Sequence, residues 1–370
     1  MTPFADLRYL IRRSSRIVRG MRRPWMIEWI DEDTLRVKNG EVNKNVLAKH
    51  IQAGILELRT FIEEEILEGI SLEELGISFD LNPKNDSGDE KTLGYSPLGS
   101  MDSSGLINNE DSDKVLNAMV AQGKLGLRLA NDGDVLFDRT CSMRWISNVH
   151  AAWVRFYPLN HQTAGPPGRG SEEALFNLCN TNKSRRHVYF KNGTIGFASN
   201  YHKGHLSGGM YKYILRLLPY DLAVIFMILV RIVRPIELLA LTEFFVEREN
   251  INKVVDIYQT KVYASWGHAW TSENLSAAIA DWFKKHFGFA VGIRLYRHIA
   301  ISIGRRYLDY TKETNPYNNA LAKMAGHTQN IEQKDYAVEK GSTGNYQADE
   351  MYYAKISRDW HAMFGLRTTK

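Results

Sequence analysis

Five side chains in this chain are of the types that covalent phosphoryl transfer needs, and they occur in a fixed order. A tyrosine hydroxyl can attack phosphorus and hold it as a phosphotyrosine, while the planar fork of arginine matches phosphate oxygens. A lysine can protonate the leaving oxygen, and a histidine can donate to the phosphate or assist proton transfer. The candidates are, in order, Arg169, Lys203, Arg297, His327 and Tyr336.

Three of the five candidates fall within residues 294–336. Arg297 belongs to an apolar run with helical period, His327 follows a small Ala-Gly pair, and Tyr336 stands nine residues after His327. This stretch is half of a site, because the other arginine and the lysine come from upstream. No Asp/Glu cluster with two-metal spacing accompanies the five residues, so the sequence predicts chemistry without a metal or another cofactor.

A competing choice exists for the first arginine. Arg234 stands in the run RPIELLAL, but choosing it leaves only Lys253 or Lys261 for the lysine, in a stretch with no clear hairpin turn. Arg169 instead precedes a strand–turn–strand pattern that ends at Lys203. We therefore predict that Arg169 is catalytic and that Arg234 is structural.

The elements that must position these residues are predicted to be helices around a small sheet. Residues 187–203 alternate as strands do around an Asn-Gly hairpin signal, and a third strand is expected at 211–216. Ser171 is expected to cap a helix after a Gly-Pro-rich loop. The fold class is thus mainly α with a small antiparallel β-sheet (α+β). Further helices are expected over residues 43–77, 113–127, 141–160, 220–234 and 273–286.

Composition divides the chain into three parts. We expect a helical DNA-binding region over residues 1–80, a polar flexible linker or insertion over 81–112, and a catalytic domain over 113–370. The linker has few apolar residues, so it is expected to bury no core. Residues 8–23 hold seven arginines, which fit a phosphate-contacting helix, a solvated basic helix face or an Arg-rich transit peptide.

The overall composition is that of a globular protein with a mild positive charge. A net charge of +5 permits a nucleic-acid partner without requiring one. Two cysteines exclude a disulfide scaffold and suit a reducing compartment. No secretory signal is visible, and the most apolar run, residues 222–230, is far shorter than the ~20 residues that span a bilayer. We therefore expect no membrane partner.

The ordered series of motifs resembles that of the tyrosine recombinases, and it is most similar to the crypton-type recombinases of fungal mobile elements. The resemblance covers about Trp153 to Leu366, and no single motif in it is specific alone. The matching pieces are GPPGRGSEE, NYHKG, ILRLLP, HAWTSENLS, LYRHIAISIGRR, MAGHTQNIEQKDYA and ISRDWHAMFGL.

The resemblance implies a tyrosine-recombinase catalytic fold preceded by a helical domain, the two clamping double-stranded DNA. It implies that Tyr336 is the nucleophile of a 3′-phosphotyrosine intermediate and that the other four candidates surround the scissile phosphate. It further implies a homodimer on one site and a homotetramer in the synaptic complex, acting in mobile-element integration or excision. A nuclear location follows from the DNA substrate and the same resemblance.

The chain departs from the usual family pattern at one position. Most tyrosine recombinases have His-x-x-Arg at the second arginine, whereas this chain has Arg294-Leu-Tyr-Arg297. The crypton-type members also lack that histidine and carry Tyr-Arg-His. His298 is therefore open to two interpretations, a helix residue that pairs locally or a catalytic group.

Two other functions remain open on the sequence. One is a domesticated DNA-binding protein that keeps the fold without chemistry. The other is a relaxing topoisomerase, which would act as a monomer with little sequence preference. A helicase is disfavoured because the GxxxxGK[ST] motif is absent, and a zinc deaminase or nuclease because no metal-ligand spacing is present.

Overall fold

The computed structural model describes most of the chain. The described residues are 27–38, 40–81, 86, 91–99, 110–129, 135–199, 214–308, 320, 323–324 and 344–370, with side chains from Glu350 onward in the last range. The fold is mainly helical with small antiparallel sheets, which confirms the predicted α+β class. No helix among these residues is both long and apolar enough to cross a membrane.

The chain first forms a three-stranded antiparallel sheet that leads into a long helix. Strands β1 (Ile27–Trp29), β2 (Thr34–Val37) and β3 (Gly40–Asn43) pair in sequence order, which the sequence did not predict. Helix α1 spans Lys44–Phe61 and begins where the Asn43 side chain accepts from two main-chain N–H groups. A π-helical turn, Ile62–Ile66, extends it.

The predicted helix over 43–77 is too long. Glu68 and Gly69 have φ values of 49° and 81°, in the left-handed region that helices cannot continue through.

The central helix of the molecule comes next. Helix α2 (Glu110–Ala121), a 3₁₀ turn (Lys124–Gly126) and the short pair β4 (Arg128–Leu129) and β5 (Val135–Leu136) precede helix α3 (Arg139–Thr163). The Asp138 side chain caps α3 by accepting from Cys141 N at 2.8 Å. The helix predicted over 141–160 is confirmed, and it buries Trp145, Val149, Trp153 and Phe156.

A second three-stranded sheet follows α3. A four-residue helix α4 (Gly170–Glu173) leads into β6 (Val188–Lys191), β7 (Thr194–Ser199) and β8 (Ile214–Leu217), antiparallel in the order β6-β7-β8. Asn192 and Gly193 have φ of 53° and 73°, so the predicted Asn-Gly hairpin is confirmed. The third strand begins within the predicted range 211–216 and ends one residue beyond it.

The remaining elements are mainly helical. The predicted buried helix over 220–234 is confirmed, and the helical run continues to Phe244. The helix predicted over 273–286 is also confirmed, and the Thr271 side chain caps it. In order these elements are α5 (Tyr220–Met227), a π-helical segment (Ile228–Val233), α6 (Arg234–Phe244), a 3₁₀ turn (Arg248–Asn250), α7 (Ile251–Thr260), β9 (Ala264–Ser265), β10 (His268–Ala269), α8 (Ser272–Phe287), α9 (Ile293–Tyr307) and α10 (Gly344–Met363).

Two hydrophobic clusters hold these elements together. The larger cluster is continuous from Leu35 to Phe364, so the described part of the N-terminal region shares a core with the predicted catalytic region. The smaller cluster lies on the opposite face of the β6-β7-β8 sheet, where Ala198 and Leu215 pack under Ile356 of α10. The sheet is thus covered on both faces. The predicted boundaries at 80 and 112 stay predictions.

Part of the predicted linker is packed against the sheet. Asp86 and Arg186 form a buried ion pair of 2.6 Å, and the Arg186 guanidinium lies between the rings of Tyr95 and Tyr189. Leu98 is only 2% exposed. The expectation that the linker over residues 81–112 buries no core is therefore wrong for these residues. The segment is held by an ion pair and ring contacts, which hydrophobic periodicity does not reveal.

Candidate active site

The two candidate arginines that the structure describes belong to different elements. Arg169 is the N-cap residue directly before α4, so the predicted Ser171 cap is wrong by two positions. The Glu172 carboxylate accepts two hydrogen bonds from Arg169, one from its main-chain N–H at 3.2 Å and one from its Nη1 at 3.3 Å. Arg169 is therefore fixed in direction by a residue of its own helix.

Arg297 lies on the second turn of α9 and reaches the loop that carries Arg169. Its Nε–H donates to the carbonyl oxygen of Pro167 at 3.2 Å. Burial lowers the pKa of Arg297, and the positive charge of Arg169 lowers it further. Both remain charged at neutral pH. An anion that binds beside both guanidinium groups would reduce the repulsion between their positive charges.

Close backbone contacts make this arrangement possible. The N–H of Gly168 donates to Glu173 Oε1 at 3.1 Å, and a Cβ at Gly168 would lie only 3.0 Å from that oxygen. A Cβ at Gly170 would lie 2.9 Å from Cδ1 of Ile293, in the first turn of α9. Glycine at both positions lets the loop, α4 and α9 approach closely.

A buried carboxylate anchors the loop to the end of α3. Glu173 Oε2 accepts from the Tyr157 hydroxyl at 2.6 Å and lies 2.8 Å from His161 Nδ1. Burial raises the pKa of Glu173, but the contacts with His161 and Tyr157 outweigh burial, so the pKa is lowered overall. Glu173 is therefore ionised at neutral pH. Sequence patterns did not identify this group, although the pair of acids after Arg169 was a signal that one of them could turn inward.

A third arginine, also missed, lies behind the loop. Arg216 is in the middle of β8 and only 4% exposed. Its Nε–H donates to the carbonyl oxygen of Pro166 at 2.9 Å. Its positive charge, like that of Arg169, lowers the pKa of Arg297. The signal for it was an arginine inside the otherwise apolar run ILRLL.

The structure leaves the other predicted site residues untested. Lys203, His327 and Tyr336 lie outside the described residues. Arg294 is exposed on α9. His298 is half-buried, and burial together with the charges of Arg297 and Arg294 lowers its pKa, so its imidazole is neutral at pH 7.

The alternative arginine is structural, as predicted. Arg234 is 3% exposed, and its Nη1 and Nη2 donate to the carbonyl oxygens of Lys261 and Val262 at 2.6 and 2.7 Å. Its guanidinium also lies 5.0 Å from the centre of the Trp153 ring. Lys261 donates to Asn177 Oδ1 at 2.9 Å. Arg234 therefore stabilises the turn that follows α7 and does not reach the surface.

Within the described ranges, no group of three or more His, Cys, Asp or Glu side chains is placed to hold a metal ion. Comparison of the chain with protein-family models, with curated proteins and with solved structures finds no match.

Proposed function

We propose that this protein is a DNA recombinase of the tyrosine-recombinase type. It would cut and rejoin DNA at defined sites through a covalent 3′-phosphotyrosine on Tyr336. The observation that carries the proposal is the pairing of Arg169 with Arg297 at one loop. The hydrogen bond from Arg297 to Pro167 joins residues 130 positions apart in the sequence. It connects Arg297 to the loop that carries Arg169.

The reaction assigns one task to each candidate. The Tyr336 hydroxyl attacks phosphorus, a bond forms between phosphorus and the tyrosine oxygen, and the bond to the 5′ oxygen breaks. His327 takes the tyrosine proton, and Lys203 gives a proton to the departing 5′ oxygen. Arg169 and Arg297 neutralise the nonbridging oxygens. The reverse sequence, with a 5′ hydroxyl from another strand, rejoins the DNA.

The environment of the arginine pair suits this task. Catalysis by charge is most effective when donors are already oriented before the substrate binds. Glu172 orients Arg169, and the Pro167 carbonyl orients Arg297. Their mutual repulsion is relieved when a phosphate binds between them, so phosphate binding is favoured without a rearrangement of the fold.

The proposal extends to fold, partners and place of action. The helices around the β6-β7-β8 sheet would form a tyrosine-recombinase catalytic fold, and the N-terminal region would contact the same duplex. Recombination of two sites would need a homodimer on each site and a homotetramer in the synaptic complex. The substrate would be double-stranded DNA of a mobile element, in the nucleus.

A covalent-adduct assay tests the proposal. The full chain is mixed with nicked duplexes that tile the DNA flanking its gene, and adducts that survive detergent are counted. We expect an adduct with the parent and with Tyr317→Phe, a matched tyrosine control, and none with Tyr336→Phe. Equal adduct from Tyr336→Phe would overturn the assignment. Salt-dependent binding without adduct on any duplex would favour a silent DNA-binding protein, and relaxation of supercoils by a monomer would favour a topoisomerase.

A further inference from the structure

Arg216 connects three segments of the chain that meet at the β6-β7-β8 sheet. Its Nε–H donates to the carbonyl oxygen of Pro166 at 2.9 Å, its Nη1 to Ser199 Oγ at 3.2 Å, and its Nη2 to the carbonyl oxygen of Met324 at 2.8 Å. The three acceptors belong to the loop before α4, the end of β7 and the segment that follows α9. One planar guanidinium thus fixes the relative positions of three separate segments.

Each of these acceptors lies a few residues before a candidate catalytic residue. Pro166 is three residues before Arg169, and Met324 is three residues before His327.

The third acceptor, Ser199, is four residues before Lys203. Arg216 therefore contacts the chain shortly before three of the five candidates.

An arginine at this position needs a specific reason, because taking a charge out of water is unfavourable unless the charge is paired and hydrogen-bonded. The neighbours of Arg216 in β8, including Leu215 and Leu217, are apolar and buried. An aliphatic side chain would suit such a strand better. Only arginine has a rigid fork of donors that reaches three acceptors at once, since the lysine ammonium is a point charge on a flexible stem.

Arg216 cannot bind the substrate directly. It is 4% exposed, and each of its three nitrogen atoms donates to a protein acceptor. The negative charges of Glu172 and Glu173 favour its charged form, against the effect of burial. Arg216 is thus a buried residue that contacts the loop before Arg169.

We propose that Arg216 is a positioning residue, whose three hydrogen bonds set the placement of the segments that carry Arg169, Lys203 and His327. Its role in catalysis rests on the recombinase function proposed above. Its role in holding the three segments together does not rest on that function. The two parts therefore call for two different measurements.

Hydrogen–deuterium exchange tests the holding role without any DNA. In Arg216→Lys, which keeps the charge but loses the fork, we expect peptides covering 165–173, Ser199 and Met324 to exchange at least about tenfold faster than in the parent. The matched control is Arg234→Lys, an equally buried arginine bonded to other carbonyls, which should leave those peptides within about twofold. Unchanged exchange in Arg216→Lys would overturn the proposal.

A milder variant covers the case in which Arg216→Lys does not fold. Ser199→Ala removes one of the three acceptors and should speed exchange in the Ser199 peptide while leaving the 165–173 peptide unchanged. Exchange that rises equally over the whole chain in both variants would mean general destabilisation and would contradict the proposal.

The catalytic part is tested by comparing adduct formation with DNA affinity. We expect Arg216→Lys to slow adduct formation by roughly 10²-fold while DNA affinity changes less than about threefold. Equal loss of affinity and rate would show that Arg216 serves stability alone. If the parent forms no adduct on any DNA, the recombinase function fails, and the exchange experiment still decides the holding role.

Discussion

The guanidinium of Arg297 and the main-chain carbonyl of Pro167 are joined by a hydrogen bond of 3.2 Å. Pro167 stands two residues before Arg169, so this bond ties the α9 arginine to the loop that presents the other arginine. The protein's own main chain therefore links the two arginines.

The two arginines should act as one unit. The proposed function assigns both to the same phosphate, so Arg169→Lys and Arg297→Lys should each reduce the rate of adduct formation by about 10²-fold, and the double variant should lose less than the product of the two. Arg294→Lys, one turn earlier on α9 and exposed, is the control and should change the rate less than about threefold. A purely multiplicative double variant would mean that the arginines act independently.

The contact between α4 and α9 should be sensitive to a single methyl group. A Cβ at Gly170 would lie 2.9 Å from Cδ1 of Ile293, so Gly170→Ala should cost about 1–3 kcal/mol in the free energy of unfolding. Ile293→Val removes the opposing Cδ1 atom. The double variant should therefore recover most of that free energy in urea denaturation. Additive losses would show that this contact is not where the strain arises.

The buried Glu173 should give the fold a defined acid sensitivity. Its pKa is lowered in the folded protein, so its stabilising contribution is complete above the ordinary value of 4.5 and is lost as the pH falls below it. Glu173→Gln should cost about 3 kcal/mol in the free energy of unfolding at pH 7. The difference between parent and variant should shrink as the pH falls from 5 to 3. A difference that stays constant would mean that Glu173 is not ionised at neutral pH.

Glu237 should show the opposite pH dependence. Burial raises its pKa to about 7, although Tyr258 donates to its Oε1 at 2.6 Å and the Arg234 charge also lowers it. The folded protein then holds a proton that the unfolded chain loses above the ordinary value of 4.5, so stability falls as the pH rises towards 7.

Substitution of Glu237 by glutamine removes that titration. Relative to the parent, Glu237→Gln should gain about 2–3 kcal/mol between pH 5 and pH 8. Urea denaturation at the two pH values measures this gain, with Glu243→Gln on the same helix as the control. No gain would mean that the folded protein does not raise the pKa of Glu237.

Local patterns predicted the elements well where local chemistry decides them. The spacing of Trp145 and Trp153 predicted α3, because a helix that buries one stripe needs apolar residues at that period. The Asn192-Gly193 pair predicted the hairpin, because both positions need positive φ. Arg234 could be assigned a structural role because no suitable lysine followed it.

The buried charged residues could not be predicted in the same way. Glu173, Arg216 and Asp86 are charged and buried, and a charged residue in a sequence is usually an exposed one. Their burial depends on partners far away in the chain, such as Arg186 for Asp86 and Met324 for Arg216. Sequence periodicity carries no information about such pairs.

The most direct test of the central claim is to identify the amino acid that carries the DNA. The covalent complex is digested with protease and nuclease, and the peptide that retains a nucleotide is sequenced by mass spectrometry. The proposed function predicts a nucleotide joined through its 3′ phosphate to Tyr336, with a free 5′ hydroxyl on the other DNA fragment. A nucleotide on any other residue, or one joined through its 5′ phosphate, would contradict it.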